Sequence, residues 1–126
     1  MGLAYTAFYF SLFLPAVLTM SDPRPRNVTI DRPAGLLVID WQDGAHCEYP
    51  LAGVRFICPC VQCRGGHEHM GLPIEPMELT QTPPPDVSTE VIGASFVGDY
   101  ALQITWGDGH NSGIYGWSIL RPLCPQ

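Results

Sequence analysis

The stretch Ile104-Thr-Trp-Gly-Asp-Gly109 decides the fold of this 126-residue chain. It runs from an apolar segment with β-branched residues into an Asp-Gly pair, which is a strong signal for the turn of a hairpin. Upstream, residues 91–97 and 100–106 are strand-like runs separated by the turn Gly98-Asp99, and an arm after the Asp-Gly pair ends near Tyr115. These runs predict a three-stranded antiparallel meander.

A second copy of the same pattern lies earlier in the chain. Ile39-Asp-Trp-Gln-Asp-Gly44 shares the spacing Ile-x-Trp-x-Asp-Gly, and a tyrosine follows each tryptophan by 8 or 9 residues. The pattern predicts another hairpin, with one strand over 35–41 and a return strand over 46–49. Asp-Gly turns flanked by core aromatic residues explain the similarity at this level, and the sequence alone does not establish a duplication.

The remaining segments complete an α+β prediction. Thr82-Pro-Pro-Pro-Asp86 predicts an extended, polyproline-like connector, and residues 117–123 predict a short terminal helix stopped by Pro122 and Pro125. We therefore expect small antiparallel β-hairpins and a meander with one or two short helices, arranged in two layers. The globular domain is predicted over 27–126, after an apolar and then polar extension over 1–26.

Composition and charge exclude several classes of function. The chain has twelve acidic residues, six arginines and no lysine, which gives a net charge of −6. This charge argues against binding to nucleic acid or to anionic membrane surfaces. The sequence has no phosphate loop and no Gly-x-Ser-x-Gly elbow. Asp43, Asp99 and Asp108 each lie beside a glycine in a predicted turn, where a structural role is expected. We predict no catalytic residues and no enzyme activity.

Residues 3–19 are uncharged and mostly apolar, with Pro15 among them. They lack the positive region and cleavage site of a signal peptide, and the run is short for a membrane span. We expect a native start at Met20 and a cytoplasmic protein. A membrane anchor or signal through residues 3–19 is the alternative, and a packed extra helix is a third interpretation.

The chemistry of the chain is concentrated in Cys58-Pro-Cys60-Val-Gln-Cys63, which Gly65 and Gly66 follow. Thiolates that bind one metal must converge on a point about 2.3 Å from each sulfur, and this short segment can curl to allow it. The chain has five cysteines, an odd number that suits thiolate ligation and a reducing compartment better than a disulfide framework. The roles of Cys47 and Cys124 stay open.

A closed tetrahedral site needs a fourth ligand, and four histidines compete for that place. His67 and His69 are nearest in sequence, whereas His110 follows the Asp-Gly turn at a rigid position. Spacing alone does not favour His110 over His67 or His69 as the fourth ligand. In a regular strand His46 is expected to point to the opposite face.

Several motifs resemble the small domain at the N-terminus of gamma-butyrobetaine hydroxylase and of its trimethyllysine hydroxylase relatives, which also occurs as a stand-alone bacterial domain of unknown function. The matching segments are 39–44, 49–50, 54–55, 58–63, 97–102 and, as the longest motif, 106–117. The resemblance implies a structural zinc site formed by Cys58, Cys60, Cys63 and His110, so that we expect a zinc-stapled two-layer α+β domain. It implies no catalysis, because the iron and 2-oxoglutarate chemistry of the hydroxylases lies on a separate, larger domain.

The resemblance leads to two functional hypotheses. The first is a non-catalytic zinc domain that acts as an interaction or accessory module. The second is an accessory protein for iron or iron–sulfur clusters, because the domain also resembles a segment appended to some Mrp-type P-loop ATPases of cluster assembly. The expected partner is another protein, either a hydroxylase or such an ATPase, with no nucleic acid and no membrane unless residues 3–19 are an anchor.

Overall fold

A computed structural model describes residues 23–64 and 73–125 of the chain. The strands in these ranges form two antiparallel three-stranded sheets, ordered β1-β2-β3 and β4-β5-β6. This arrangement with short helices confirms the predicted α+β class. No helix in the same ranges has the length and apolar character needed to cross a bilayer. The elements are β1 (Pro25–Asp31), β2 (Leu36–Trp41), β3 (His46–Pro50), α1 (Leu51–Phe56), α2 (Val61–Arg64), a 3₁₀ helix (Pro76–Thr80), β4 (Val91–Val97), β5 (Ala101–Trp106), β6 (Ile114–Gly116) and α3 (Trp117–Leu120).

Both predicted Asp-Gly hairpins are present. After β2 the chain reverses at Gly44, whose φ of 95° is in the left-handed region that glycine adopts without strain. The Gly44 amide donates to the Trp41 carbonyl oxygen at 3.0 Å. The second turn repeats this arrangement, with Gly109 at φ 87° and its amide donating to the Trp106 carbonyl oxygen at 2.8 Å.

The structure differs from the predicted elements in several places, which include the unpredicted 3₁₀ helix. Strand β1 and helix α1 were not predicted, because β1 mixes charged and polar residues and α1 covers only six residues. Strand β6 is only three residues long. Helix α3 ends at Leu120, and a turn replaces the predicted helix as far as Leu123. In the predicted connector over 82–86, residues 82–84 carry no helix or strand, whereas residues 85 and 86 form a turn in which the Val87 amide donates to the Pro84 carbonyl oxygen at 3.0 Å, so the segment is not extended throughout.

The similarity between the two Trp-x-Asp-Gly segments extends well beyond their turns. The first unit consists of β1, β2, β3 and α1, and the second consists of β4, β5, β6 and α3. The hydroxyl of Tyr49 donates to the Leu120 carbonyl oxygen at 2.6 Å. The hydroxyl of Tyr115 donates to the Val54 carbonyl oxygen at 2.8 Å. Each tyrosine lies two residues before the helix of its own unit and binds the helix of the other.

The aspartates of the two turns are paired in the same reciprocal way. Arg121, directly after α3, binds Asp43 of the first unit at 3.0 Å. Arg55, in α1, binds Asp108 of the second unit at 3.2 Å. The two units therefore form a pseudo-two-fold pair in which each supplies a tyrosine and an arginine to the other.

One hydrophobic core joins the two units. Its largest fully buried side chains include the tryptophan and tyrosine of each unit, Trp41, Tyr49, Trp106 and Tyr115. Trp41 also packs edge-to-face on Trp117, with ring centroids 6.1 Å apart. Burial raises the pKa of Tyr49 to about 12. Burial also raises the pKa of Tyr115, so both tyrosines stay protonated and donate their hydroxyl hydrogens at physiological pH.

A disulfide joins Cys47 on β3 to Cys124 after α3, across 77 residues. The sequence did not predict this pairing, because nothing local shows that two such distant cysteines meet. Disulfides persist in oxidising surroundings, so the pairing does not favour the reducing compartment expected from the cysteine count. Cytoplasmic localisation stays a prediction.

We predict that the double substitution Cys47→Ala/Cys124→Ala lowers the free energy of unfolding by about 2–4 kcal/mol, because the open chain regains entropy when unfolded. Urea denaturation of the oxidised protein and the variant measures the difference. Metal content serves as the control and should not change. Equal stabilities would contradict the pairing.

Helix α1 packs against the 3₁₀ helix at a position where only glycine fits. A Cβ atom at Gly53 would overlap the Leu79 backbone, including its carbonyl oxygen. Backbone atoms cannot move aside as a flexible side chain can. Gly53 therefore sets the close approach of these two helices.

We predict that Gly53→Ala destabilises the protein by about 1–3 kcal/mol through overpacking, although the same change in an open helix is stabilising by about 0.5–1 kcal/mol. Gly93→Ala is the matched control, because its nearest neighbour is the Thr105 Cβ at 3.9 Å. Thermal denaturation of both variants measures the effect. A Gly53→Ala variant as stable as the control would show that the helices separate easily.

Candidate metal centre

The cysteine cluster begins where α1 ends. The Cys58 amide donates to the Arg55 carbonyl oxygen at 3.2 Å, which turns the chain out of the helix. Cys58 and Cys60 are buried, whereas Cys63 in α2 is exposed. The Cys63 amide points back at the Cys60 sulfur at 3.4 Å. The segment therefore curls around one point, as predicted for thiolates that share a metal.

His110 approaches the cluster from the connection between β5 and β6. The carbonyl oxygen of His110 accepts from the Trp106 amide at 2.9 Å. Its own amide donates to the Asp108 carboxylate at 3.2 Å. These bonds hold the backbone on both sides of the residue, so the Asp-Gly turn determines where the imidazole begins.

The four side chains converge on one point. The Nε2 atom of His110 lies 3.4 Å from the Cys58 sulfur and 3.5 Å from the sulfurs of Cys60 and Cys63. All four donor atoms lie within 4.8 Å of one another. In a tetrahedral zinc site with Zn–S of about 2.3 Å and Zn–N of about 2.1 Å, the expected S···N separation is about 3.6 Å. The group is thus spaced to bind a metal ion.

Without a metal, Cys60 and His110 are shifted toward the deprotonated form that a metal requires, whereas Cys58 and Cys63 are shifted toward the protonated thiol. Burial raises the pKa of the Cys58 thiol to about 12, and burial also raises the pKa of Cys63. Burial acts on Cys60 in the same direction, but the Cys63 amide and neighbouring thiols outweigh it and lower its pKa. Burial, helped by the positive charge of Arg55, lowers the pKa of His110, which favours the neutral imidazole that a metal requires.

Arg55 is a residue of this site that the sequence analysis included only in the matching segment 54–55, without a role. It is 7% exposed, binds Asp108 at 3.2 Å, and lies 5.6 Å from the ring centroid of Trp106. The pair connects the helix before the cysteines to the turn that carries His110. An arginine within the otherwise apolar segment 51–60 was the available signal.

Asp108 has the structural role predicted for it. Besides Arg55 and the His110 amide, its carboxylate accepts from the Ser88 amide at 3.3 Å. Hydrogen bonds from the His110 amide and then the Ser88 amide lower the pKa of Asp108 against the opposing effect of burial. Asp108 therefore positions the histidine turn.

Of the other predicted candidates, His46 lies outside the cluster. Its ring nitrogens contact Asp40 and Glu48 on the exposed face of the first sheet. Hydrogen bonds to Asp40 and then Glu48 raise the pKa of His46. The predicted opposite orientation of His46 therefore agrees with its absence from the cluster. His67 and His69 lie outside the described residues.

Gly113 is a second residue that the sequence did not indicate. A Cβ at Gly113 would lie 2.6 Å from the Cys58 sulfur, so the absence of a side chain leaves room for this ligand. The pseudo-symmetry relates Gly113 to a cysteine of the first unit. Cys47 and Gly113 are 66 residues apart, as are Cys58 and Cys124. Cys47 is thus equivalent to Gly113, and Cys124 is equivalent to Cys58. Cys47 and Cys124 form the disulfide, whereas Gly113 lies beside the free thiol of Cys58.

We predict that Gly113→Ala weakens zinc binding by about 10–100-fold, as does loss of a residue that orients a ligand, because the new methyl group displaces the Cys58 sulfur. Gly116→Ala is the control, since its nearest neighbour is the Ser118 hydroxyl at 3.6 Å. Competition with a chromogenic chelator measures both affinities. Unchanged affinity in Gly113→Ala would show that the cluster tolerates displacement of Cys58.

The comparisons with known proteins agree with this architecture. The family model described as gamma-butyrobetaine hydroxylase-like, N-terminal, matches residues 28–121. The chain therefore belongs to the gamma-butyrobetaine hydroxylase-like N-terminal family, as its motifs predicted. A search of curated proteins gives no match.

Three solved structures share the fold. The first is a crystal structure of a DUF971-family protein of unknown function from Acidithiobacillus ferrooxidans, with 28% identity and a TM-score of 0.56. The alignment covers 79% of this chain and 91% of that protein, so the relative consists of little more than this domain. Two solution structures determined by NMR have 21% and 18% identity and TM-scores of 0.58 and 0.53. Their alignments cover 83% and 82% of this chain, and 71% and 74% of theirs.

Proposed function

We propose that this chain is a non-catalytic module that binds one structural zinc ion through Cys58, Cys60, Cys63 and His110. The observation that carries the proposal is the convergence of three sulfurs on one imidazole nitrogen at 3.4–3.5 Å. Three thiol hydrogens cannot all share the single lone pair of one nitrogen. A cation among the four donors accounts for the arrangement more simply.

The donor set favours a structural role over a catalytic one. Catalytic zinc sites keep a position open for water or substrate, whereas structural sites use four protein ligands. Here four protein donors lie within 4.8 Å of one another, enough ligands for a closed tetrahedral shell, and two of the cysteines are buried. When bound, the ion links the α1–α2 segment to the β5–β6 connection and so adds a crosslink between the two units.

The spacing also bears on the choice between one ion and a cluster. The four ligands of an iron–sulfur cluster are divided among two or four iron atoms, whereas these donor atoms all lie within 4.8 Å of one another. That distance supports a mononuclear site. Zinc is the ion proposed, and a single iron or an iron–sulfur cluster assembly role is the second candidate, because a thiolate-rich donor set suits both metals.

The module has another protein as its proposed partner. Membership in a family named for the N-terminal part of a hydroxylase supports an accessory role beside an enzyme. The hydroxylase and the iron–sulfur assembly ATPase named above are the two partner classes. The proposal assigns no reaction to the chain itself.

Metal analysis of protein expressed without added metal tests the proposal. We expect one zinc per chain and a colourless protein. His110→Ala should lose the metal and its cooperative thermal unfolding, because the binding energy of a structural zinc is on the order of 10 kcal/mol and comparable to the stability of a small domain. His46→Ala, which removes an exposed histidine outside the cluster, is the matched control.

The outcomes separate the hypotheses. Visible absorption with stoichiometric iron would favour the second candidate. Stoichiometric zinc retained in His110→Ala would contradict the site. In that case the His67→Ala/His69→Ala double variant identifies whether those residues bind the metal instead.

A further inference from the structure

The three thiols of the candidate metal centre differ in their access to solvent. Cys58 is fully buried and Cys60 is 7% exposed, whereas Cys63 is exposed. Cys63 also lines a surface pocket beside Arg55 and Phe56. A small oxidant in solution therefore reaches the sulfur of Cys63 before it reaches the other two.

The sulfurs of Cys60 and Cys63 are placed to form a bond with each other. They belong to the group of donor atoms that all lie within 4.8 Å of one another, and the Cys63 amide donates to the Cys60 sulfur at 3.4 Å. Residues three apart across a helical turn have Cβ atoms about 5–6 Å apart, and a disulfide requires about 3.5–4.5 Å. The adjustment is small, and it affects α2, which has only four residues.

Cys58 is less suited to this bond. Only Pro59 separates it from Cys60, and the proline ring fixes one of the backbone dihedrals between them. The Cys58 sulfur also lies close to the Gly113 backbone, where an added Cβ would be 2.6 Å away. Cys58 would have to leave a packed position in order to pair. Of the three thiols, Cys58 is therefore the one expected to stay unpaired.

We propose that Cys60 and Cys63 are an oxidation site, at which a peroxide converts the two thiolates into a disulfide and releases the metal ion. This inference rests on the metal site proposed above. The thiolate is the form of cysteine that binds a metal, so a disulfide removes two of the four ligands. Only Cys58 and His110 would remain to bind the ion, whereas a structural zinc site uses four protein ligands.

The reaction balances with hydrogen peroxide as the oxidant. The Cys63 thiolate attacks one peroxide oxygen, which breaks the O–O bond and yields a sulfenic acid and a hydroxide ion. The Cys60 thiolate then attacks the Cys63 sulfur, forms the S–S bond and expels a second hydroxide ion. The two thiolates together lose two electrons, and the peroxide accepts both.

The two links between the units would then respond to redox conditions in opposite directions. A reductant opens the Cys47–Cys124 disulfide and leaves the thiolates of the centre able to bind the ion. Peroxide leaves that disulfide closed and opens the centre. Because the binding energy of a structural zinc is comparable to the stability of a small domain, oxidation should also abolish cooperative thermal unfolding.

The principal test adds hydrogen peroxide to the full, metal-loaded chain and follows zinc release with a chromogenic chelator. Samples taken during the reaction are alkylated in denaturant, and peptide mass spectrometry maps their disulfides and labelled thiols. We expect zinc release to accompany formation of the Cys60–Cys63 disulfide. The label should appear on Cys58, and the Cys47–Cys124 disulfide should stay unchanged.

Cys63→Asp is the test variant, because a carboxylate can bind zinc but cannot form a disulfide. The remaining thiols of the centre are buried, so we expect peroxide to release zinc about 10-fold more slowly or less. The chelator without peroxide gives the baseline for each protein. Cys47→Ala/Cys124→Ala is the matched control, because it removes two cysteines outside the centre and should release zinc at the wild-type rate.

The control variant also tests reversibility, because Cys60–Cys63 is then the only disulfide that oxidation should form. A phosphine reductant should restore both thiols and zinc binding in this variant. Zinc retained by the wild-type chain in peroxide, or released with a disulfide that includes Cys58, would overturn the inference. A chain that holds no metal before peroxide is added would instead overturn the proposed function, and the release step with it.

Discussion

The reciprocal contacts between two hairpin–helix units determine most of this structure. Tyr49 binds the helix of the second unit and Tyr115 binds the helix of the first, each through a buried hydroxyl. Because a buried hydroxyl without a partner is costly, each tyrosine restricts where the opposite helix can lie. Helix α1, held in this way, leads directly into the cysteine segment. The position of the cluster therefore depends on a contact made by the other unit.

The position of Cys47 in the first unit carries a different residue in the second unit. In the first unit, Cys47 is covalently joined to Cys124. In the second, the position equivalent to Cys47 is Gly113, which leaves the Cys58 thiol free to face His110. One pseudo-symmetric location thus holds a disulfide and the other the candidate metal centre. The disulfide connects the end of the second unit to β3, and the cysteine segment at the end of the first unit lies against the β5–β6 connection. Links of this kind suit a small domain with a limited core.

Asymmetry also distinguishes the edges of the two sheets. Proline and charge protect β1, whereas the equivalent β4 exposes Ile92 and Phe96. The residues of a shared core are constrained by packing in both units, but the edges are free to diverge. Differences between equivalent positions therefore point to the surfaces and sites where the two units have separate roles.

The sequence by itself determined the hairpins, the α+β class and the cysteine segment, because these depend on local signals. Asp-Gly pairs specify turns, alternating apolar residues specify strands, and three cysteines within six residues suggest convergence. Spacing could not choose among the histidines, and it was the family resemblance that selected His110. The tertiary structure alone showed that His110 meets the three sulfurs, that Cys47 pairs with Cys124, and that Arg55 and Gly113 belong to the site. These relationships join segments tens of residues apart, and their distances depend on how the two units pack rather than on any local pattern.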